Sequence, residues 1–146
     1  MVACKEHTKH KSLSYPYFAS LKTSKINARC GPGVSYPIEW VYIKTNTPVE
    51  VLEEFEHWRK IRDVQGDETW VNKTMIGKKR TAIIIGEKIP MYEDANEKSS
   101  PMANLAKGVQ VELKKCDMGW CQIKIENLKG FVQTSGLFGA DPQEKF

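Results

Sequence analysis

Short runs of alternating apolar and polar residues, separated by Gly, Pro, Asn or Asp, occupy most of the chain. Val49 and Val51, then Val109, Val111 and Leu113, are the clearest cases. A period of two sends apolar side chains to one face of an extended segment, so the pattern reads strand, turn, strand. No window carries a sustained helical stripe. The stretch VEVLEEFEHW has helical spacings, but its valines favour a strand.

The pattern also repeats. PVEVLEEFEHWRKIRDVQGDETWV (48–71) lies over GVQVELKKCDMGWCQIKIENLKGFV (108–132), so that Val49, Val51, Trp58, Ile61 and Val71 meet Val109, Val111, Trp120, Ile123 and Val132. Upstream, FASLKTSKINARCGPG (18–33) takes the place of TAIIIGEKIPMYEDAN (81–96). Two copies of one unit are therefore predicted, with the join near Gly77-Lys78-Lys79-Arg80. Each has about 60 residues and about five short strands, the size of a small closed barrel, which removes the exposed edges of a flat sheet. The predicted fold is all-β: a disordered tail over 1–14, one small β-barrel over 15–80, a second over 81–140 and a tail over 141–146. The join leaves little linker, so the two barrels are expected to touch.

Composition narrows the function classes. The longest concentrated apolar run is Ala82 to Ile85, too short for a transmembrane segment. The net charge of +4, from 22 basic and 18 acidic residues, is too small to indicate nucleic acid without a clustered basic face. Arg59-Lys60-x-Arg62 and Lys78-Lys79-Arg80 are candidates for such a face, but strand alternation splits the first group, and a solvated surface is expected instead. The polar, basic start MVACKEHTKHKSLSYP has no apolar h-region. It fits a frayed tail, or a leader replaced by an initiator methionine with Ala3-Cys4 left from a lipoprotein-type cleavage site.

Certain motifs carry a family resemblance. Asn27-Ala28-Arg29-x-Gly31-Pro32-Gly33, Ser35-Tyr36-Pro37, Val49-Glu50-Val51, Trp58-Arg59-Lys60-Ile61 and Trp70-Val71 resemble the bacterial Src-homology-3-like domain. The second unit resembles the divergent partner domain found in tandem with it, through the Cys116 to Cys121 hairpin and Gly130-Phe131-Val132. The resemblance implies a tandem of exported, non-enzymatic binding modules of the bacterial envelope, in several relatives associated with peptidoglycan. Glu68-Thr69-Trp70 lacks the usual glycine before tryptophan, and the second unit lacks the Asn-x-Arg-x-Gly-Pro motif.

Cys116 and Cys121 flank four residues. A zinc site needs a second ligand pair, which is missing, and a thioredoxin-type motif needs Cys-x-x-Cys at a helix start. Strand residues flanking such a turn face each other with Cα atoms about 5 to 6 Å apart, which suits a disulfide in an oxidising compartment; free thiols are the alternative. Cys4 and Cys30 leave two readings open, a mutual disulfide or a lipid anchor on Cys4. Cys4-x2-His7-x2-His10 has metal-like spacing in a segment read as disordered, and no metal site or cofactor is expected.

Two of the three histidines lie in the tail, and no acid-base or nucleophilic set assembles from the rest. The adjacent carboxylates Glu53-Glu54 and Asp67-Glu68 point to opposite faces of a strand and read as solvated edge charges. The tryptophans say more. Trp58 and Trp120 precede the core positions Ile61 and Ile123 by three residues, so they face away from the core and line either a groove or a contact between barrels. Proline-rich ligands are disfavoured, because Asn72 to Ile76 replace the aromatic platform those ligands use. Tyr36, Pro37 and Trp40 of the long insertion can instead wall a groove. Asn27 and Arg29 supply donors suited to a peptide or carboxylate, although Arg29 fits equally as a clamp on the loop at Gly31-Pro32. Asn27, Arg29, Tyr36, Trp40, Trp58 and Trp70 are thus the candidate ligand-binding residues. The reading is a periplasmic or otherwise exported, non-catalytic module for a cell-wall (peptidoglycan) peptide or an envelope protein. A structural or assembly protein is its rival, and a redox enzyme survives only if the cysteines are reactive.

Overall fold

The computed structural model describes residues 11–146. It divides between Lys79 and Arg80 into two compact units. The first contains β1 (Lys11–Leu21), β2 (Ile26–Arg29), β3 (Ile38–Tyr42), β4 (Pro48–Phe55), β5 (Trp58–Arg62), β6 (Glu68–Asn72), a single 3-10 turn (Lys73–Met75) and β7 (Ile76–Gly77). The second contains β8 (Thr81–Ile84), β9 (Lys88–Tyr92), β10 (Pro101–Ala106), β11 (Gln110–Asp117), β12 (Trp120–Ile125), β13 (Leu128–Gln133), another 3-10 turn (Thr134–Gly136) and β14 (Leu137–Phe138). The strand orders, β3-β2-β6-β5-β4-β1-β7 and β10-β9-β13-β12-β11-β8-β14, correspond position for position.

Each unit has seven strands where about five were expected, because the connection after the first strand is itself a hairpin: β2 with β3, and β9 with β10. β1 starts at Lys11, within the stretch expected to be tail, and Lys11 and Ser12 pair with Glu54 and Glu53. The internal register also corrects the sequence alignment. Val49 lies opposite Ala19 and Val51 opposite Ile61, while Val111 lies opposite Ala82 and Leu113 opposite Ile123. Val49 therefore corresponds to Val111, two residues from its expected partner Val109. A slip of two keeps every side chain on its face, so alternation alone cannot detect it.

Alternation builds one small core per unit. Leu21, Ile26, Val49, Val51, Ile61 and Val71 anchor the first; Ile84, Met91, Val111, Leu113, Ile123 and Val132 anchor the second. Polar ties close the ends. In the first unit the Tyr42 hydroxyl donates to Asp63 Oδ2 at 2.8 Å, and Asp63 Oδ1 accepts from the backbone N–H groups of Gln65 and Asp67 at 2.9 and 3.1 Å. One buried carboxylate thus shapes the β5–β6 turn and ties it to β3. Burial first, then the bond and charge of Asp63, raise the Tyr42 pKa above the ordinary phenol value.

In the second unit Cys116 and Cys121 form a disulfide, directly opposite each other with Cα atoms 4.0 Å apart. The strands continue to Asp117 and Trp120, leaving a two-residue turn in which Met118 and Gly119 adopt φ of 50° and 83°. The Cys116 N–H and C=O are bonded instead to Phe146, both at 2.9 Å. The cysteines therefore occupy a narrow, non-hydrogen-bonded site, closer than the expected 5 to 6 Å. Cys30 is also in a disulfide, and Cys4 lies outside the described residues.

Residues 141–146, expected to be a tail, dock on the second unit. Arg80 holds Glu144 through two bonds of 2.7 and 2.9 Å, donates to the Gly139 carbonyl at 2.8 Å and lies 4.5 Å above the Phe146 ring centre. Burial pushes the Glu144 carboxyl up. The Arg80 bonds, the Asp141 N–H and the Arg80 charge outweigh burial and hold it below the usual carboxylate range.

Two outcomes are expected. Alkylation of native protein should leave Cys116 and Cys121 unmodified until reduction, and replacing both with serine should cost about 2 kcal/mol in denaturant unfolding, as closure of so short a loop predicts. For Glu144, a lowered folded pKa gives stability that is present above the unfolded carboxylate pKa and lost as pH falls through the folded value. Amide exchange at Cys116 and Phe146 should therefore gain protection as pH rises through that window, beyond the intrinsic pH dependence, and Glu144→Gln should remove the effect.

Candidate functional site

The loop between β2 and β3 shows how the motif around Arg29 works. Arg29 Nη1 donates to the carbonyls of Val34 and Tyr36 at 3.1 and 2.9 Å, and the Cys30 N–H donates to the Pro37 carbonyl at 3.1 Å. Tyr36 folds back over Gly31: a Cβ there would lie 2.3 Å from Tyr36 Cδ1. Arginine, glycine and tyrosine are needed together because the guanidinium draws the carbonyls inward and the missing side chain admits the ring. Of the two readings left open for Arg29, the loop clamp is the one its bonds display.

The register sorts the other candidates by face. Arg29 lies opposite Trp70, Trp70 opposite Lys60, and Trp58 opposite Asn72. Their neighbours Ala28, Ile61 and Val71 belong to the core, so Asn27, Arg29, Trp58, Lys60, Trp70 and Asn72 share the outer face of β2, β5 and β6. Trp40 does not join them. It pairs with Ala28 and meets Tyr42 edge-on at 6.5 Å, on the opposite face of the β2–β3 hairpin, where it is 57% exposed. The single cleft expected from Trp40 and Arg29 together is therefore not formed, because one residue of offset along a strand reverses the face.

Trp70 also departs from expectation. It is 0% exposed and stands outside the hydrophobic cluster, so its ring is a packing group and cannot meet a ligand as placed. The sequence motif reports the strand position correctly but not what covers it. Trp58 is half-buried and also outside the cluster. It opens β5 after the Glu56-His57 turn, beside the 3-10 turn that Asn72 caps by accepting from the Thr74 N–H at 3.0 Å. Asn27 is exposed.

The second unit builds a richer aromatic surface than its missing motif suggested. Tyr92, Phe131 and Gln122 stand in Arg29, Trp70 and Lys60 positions, and Trp120 pairs with Gln133 as Trp58 pairs with Asn72. Tyr92 meets Trp120 edge-on at 5.8 Å, and Lys115 lies 5.7 Å from the Phe131 ring centre. Trp120, Phe131, Phe146, Lys115 and Lys145 line a cleft of about 610 Å3. Sequence reasoning missed this cleft, since Phe146 reaches it only through the docked 141–146 segment. Three of the four carboxylates read as solvated edge charges are instead paired: Glu54 with Arg59, Glu53 with Lys60, and Glu68 with Lys60 and Arg62.

Two equivalent seven-stranded antiparallel units, each with a hairpin after the first strand and a 3-10 turn before the last, define a tandem of SH3-like domains. The family model described as bacterial SH3 domain matches twice, over residues 22–78 and 86–139. The chain belongs to the bacterial SH3 domain family. No curated protein matches it. Similar solved structures include NlpC2 from Trichomonas vaginalis, at 11% identity over 88% of this chain and 49% of that one with a TM-score of 0.40. NlpC1 from the same organism is similar at 13% identity over 87% and 48%, with a TM-score of 0.37. The chain spans about half the length of each.

The loop geometry predicts a coupled pair. Gly31→Ala should cost about 1 to 3 kcal/mol in thermal unfolding, the usual range for an overpacked site. In a Tyr36→Ala background most of that cost should vanish, because the atoms that clash are gone.

Proposed function

We propose that the chain is a non-catalytic, exported binding module whose first barrel recognises a cell-wall peptide or an envelope protein through Trp58. The observation that carries this reading is the recurrence of tryptophan at one corner of both units, outside each core and beside the 3-10 turn. A large ring held at the same outward position in two diverged copies is not needed for burial and is suited to contact. Trp120 is braced by Tyr92, whereas the Trp58 ring has no stacking partner among the described residues. Asn27 shares its face, and the loop clamped by Arg29 is the connection of the β2–β3 hairpin. The oxidised cysteines favour a compartment outside the reducing cytosol. Membership of the bacterial SH3 family supports binding over catalysis.

Retention on purified, insoluble cell wall tests the reading. Trp58→Ala should weaken retention about thirtyfold, as loss of an aromatic anchor worth about 2 kcal/mol requires, with circular dichroism unchanged. Trp120→Ala should have the smaller effect. A folded Trp58→Ala protein retained like the wild type would make the ring a packing residue and favour the assembly reading.

A further inference from the structure

A second cleft in the first unit, of about 580 Å3, is lined by Tyr17, Phe18, Arg59, Lys73, Ile76 and Lys78 among others. It is separate from the outer face that carries Trp58. Arg59 is the next residue along β5 and lies opposite Val71, a core position, so its side chain leaves the other face of the sheet. The cleft is bounded there by β1, the 3-10 turn and β7.

Its chemistry is one-sided: three cationic side chains line it, and no carboxylate does. The basic run 59–62 is divided by its own strand. Lys60 and Arg62 are neutralised by Glu53, Glu68 and Glu50. The Arg59 guanidinium donates through Nη1 to the carbonyls of Glu56 and Trp58 and lies 3.5 Å from Glu54, and it lines the cleft together with Lys78 of the second basic run. Lys73 and Lys78 are exposed, and neither has an ion pair among the described residues. The alternation that argued for a merely solvated surface is what leaves Lys73 and Lys78 on this rim without a counter-charge, while Arg59 keeps Glu54. The floor differs from the rim. Tyr17 is 44% exposed, and Phe18 and Ile76 add apolar surface beside it.

We propose that this cleft is a binding site for an acidic peptide segment, with a carboxylate side chain between Lys73 and Lys78 and a neighbouring apolar side chain against Tyr17 and Ile76. Bare phosphate would leave the apolar floor unused. A lipid surface is flat, whereas this site is concave and of a volume suited to a few residues. The proposal does not depend on Trp58.

The test is an NMR titration of the isotope-labelled protein with the blocked tetrapeptide Glu-Leu-Glu-Phe, with its analogue Gln-Leu-Gln-Phe, and with inorganic phosphate. The acidic peptide should shift the amides of Thr74, Gly77 and Lys78 and bind about tenfold more tightly than the glutamine analogue. Lys73→Gln/Lys78→Gln, two exposed replacements, should weaken it by a similar factor, while Trp58→Ala leaves it unchanged. Absence of shifts at those amides, equal binding of the glutamine analogue, or the same shifts from phosphate alone at equal concentration would each overturn the proposal. Loss of cell-wall retention in Trp58→Ala with peptide binding intact would separate the two sites; retention without peptide binding would defeat this one alone.

Discussion

Every role in each unit is fixed by the alternation of one antiparallel sheet over a very small core. A domain of about 60 residues buries too little surface to spare inward positions for anything but stability. Leu21, Ile26, Val49, Val51, Ile61 and Val71 fill the first core, and the residues between them are thereby assigned to the outer face. Trp58, Lys60 and Trp70 face outward because Arg59, Ile61 and Val71 do not. Function in such a fold is found among the residues that the core leaves over.

Cores this small need ties at the sheet ends, and the two units use different chemistry for them. The first joins Tyr42 to Asp63, so that one hydrogen-bonded carboxylate serves both the β5–β6 turn and β3. The second uses a covalent cross-strand link at Cys116–Cys121 and docks 141–146 through the bidentate Arg80–Glu144 pair. The pair lies at 21% and 27% side-chain exposure, where water screens it only in part, and the backbone bonds of Cys116 to Phe146 share the load. Each tie closes a gap that apolar side chains alone would leave open.

Much of this was legible in the sequence because alternation and repetition are properties of the chain itself. Two all-β units, the tryptophan and isoleucine correspondences and the cysteine staple follow from spacing. What was not legible depends on lateral partners. The β2–β3 hairpin reads as an insertion in the sequence because Pro32, Pro37 and the two turn glycines Gly31 and Gly33 hide its pairing. Trp40 was placed with Arg29 because nothing local indicates that it pairs with Ala28. Trp70 carries the sequence mark of a groove residue and is buried nonetheless, since a side chain's cover comes from elsewhere in the chain. The docking of Phe146 required a neighbour sixty-six residues away at Arg80, beyond any local pattern.

The two copies show how one scaffold position can change its work. Arg29 and Tyr92 are equivalent, each opposite the outward aromatic of the neighbouring strand. In the first unit arginine spends its donors on the carbonyls of Val34 and Tyr36, which orders a loop and leaves the Trp58 ring unstacked. In the second unit tyrosine turns to Trp120 and braces it. A planar charged group with several donors can organise backbone, whereas an aromatic ring can only pack or stack. The exchange therefore transfers order from a loop to a ring. The first unit has a shaped loop beside an available tryptophan; the second has a rigid aromatic surface with Phe131 and Phe146 around it. The same scaffold position thus orders backbone in one copy and braces an aromatic ring in the other.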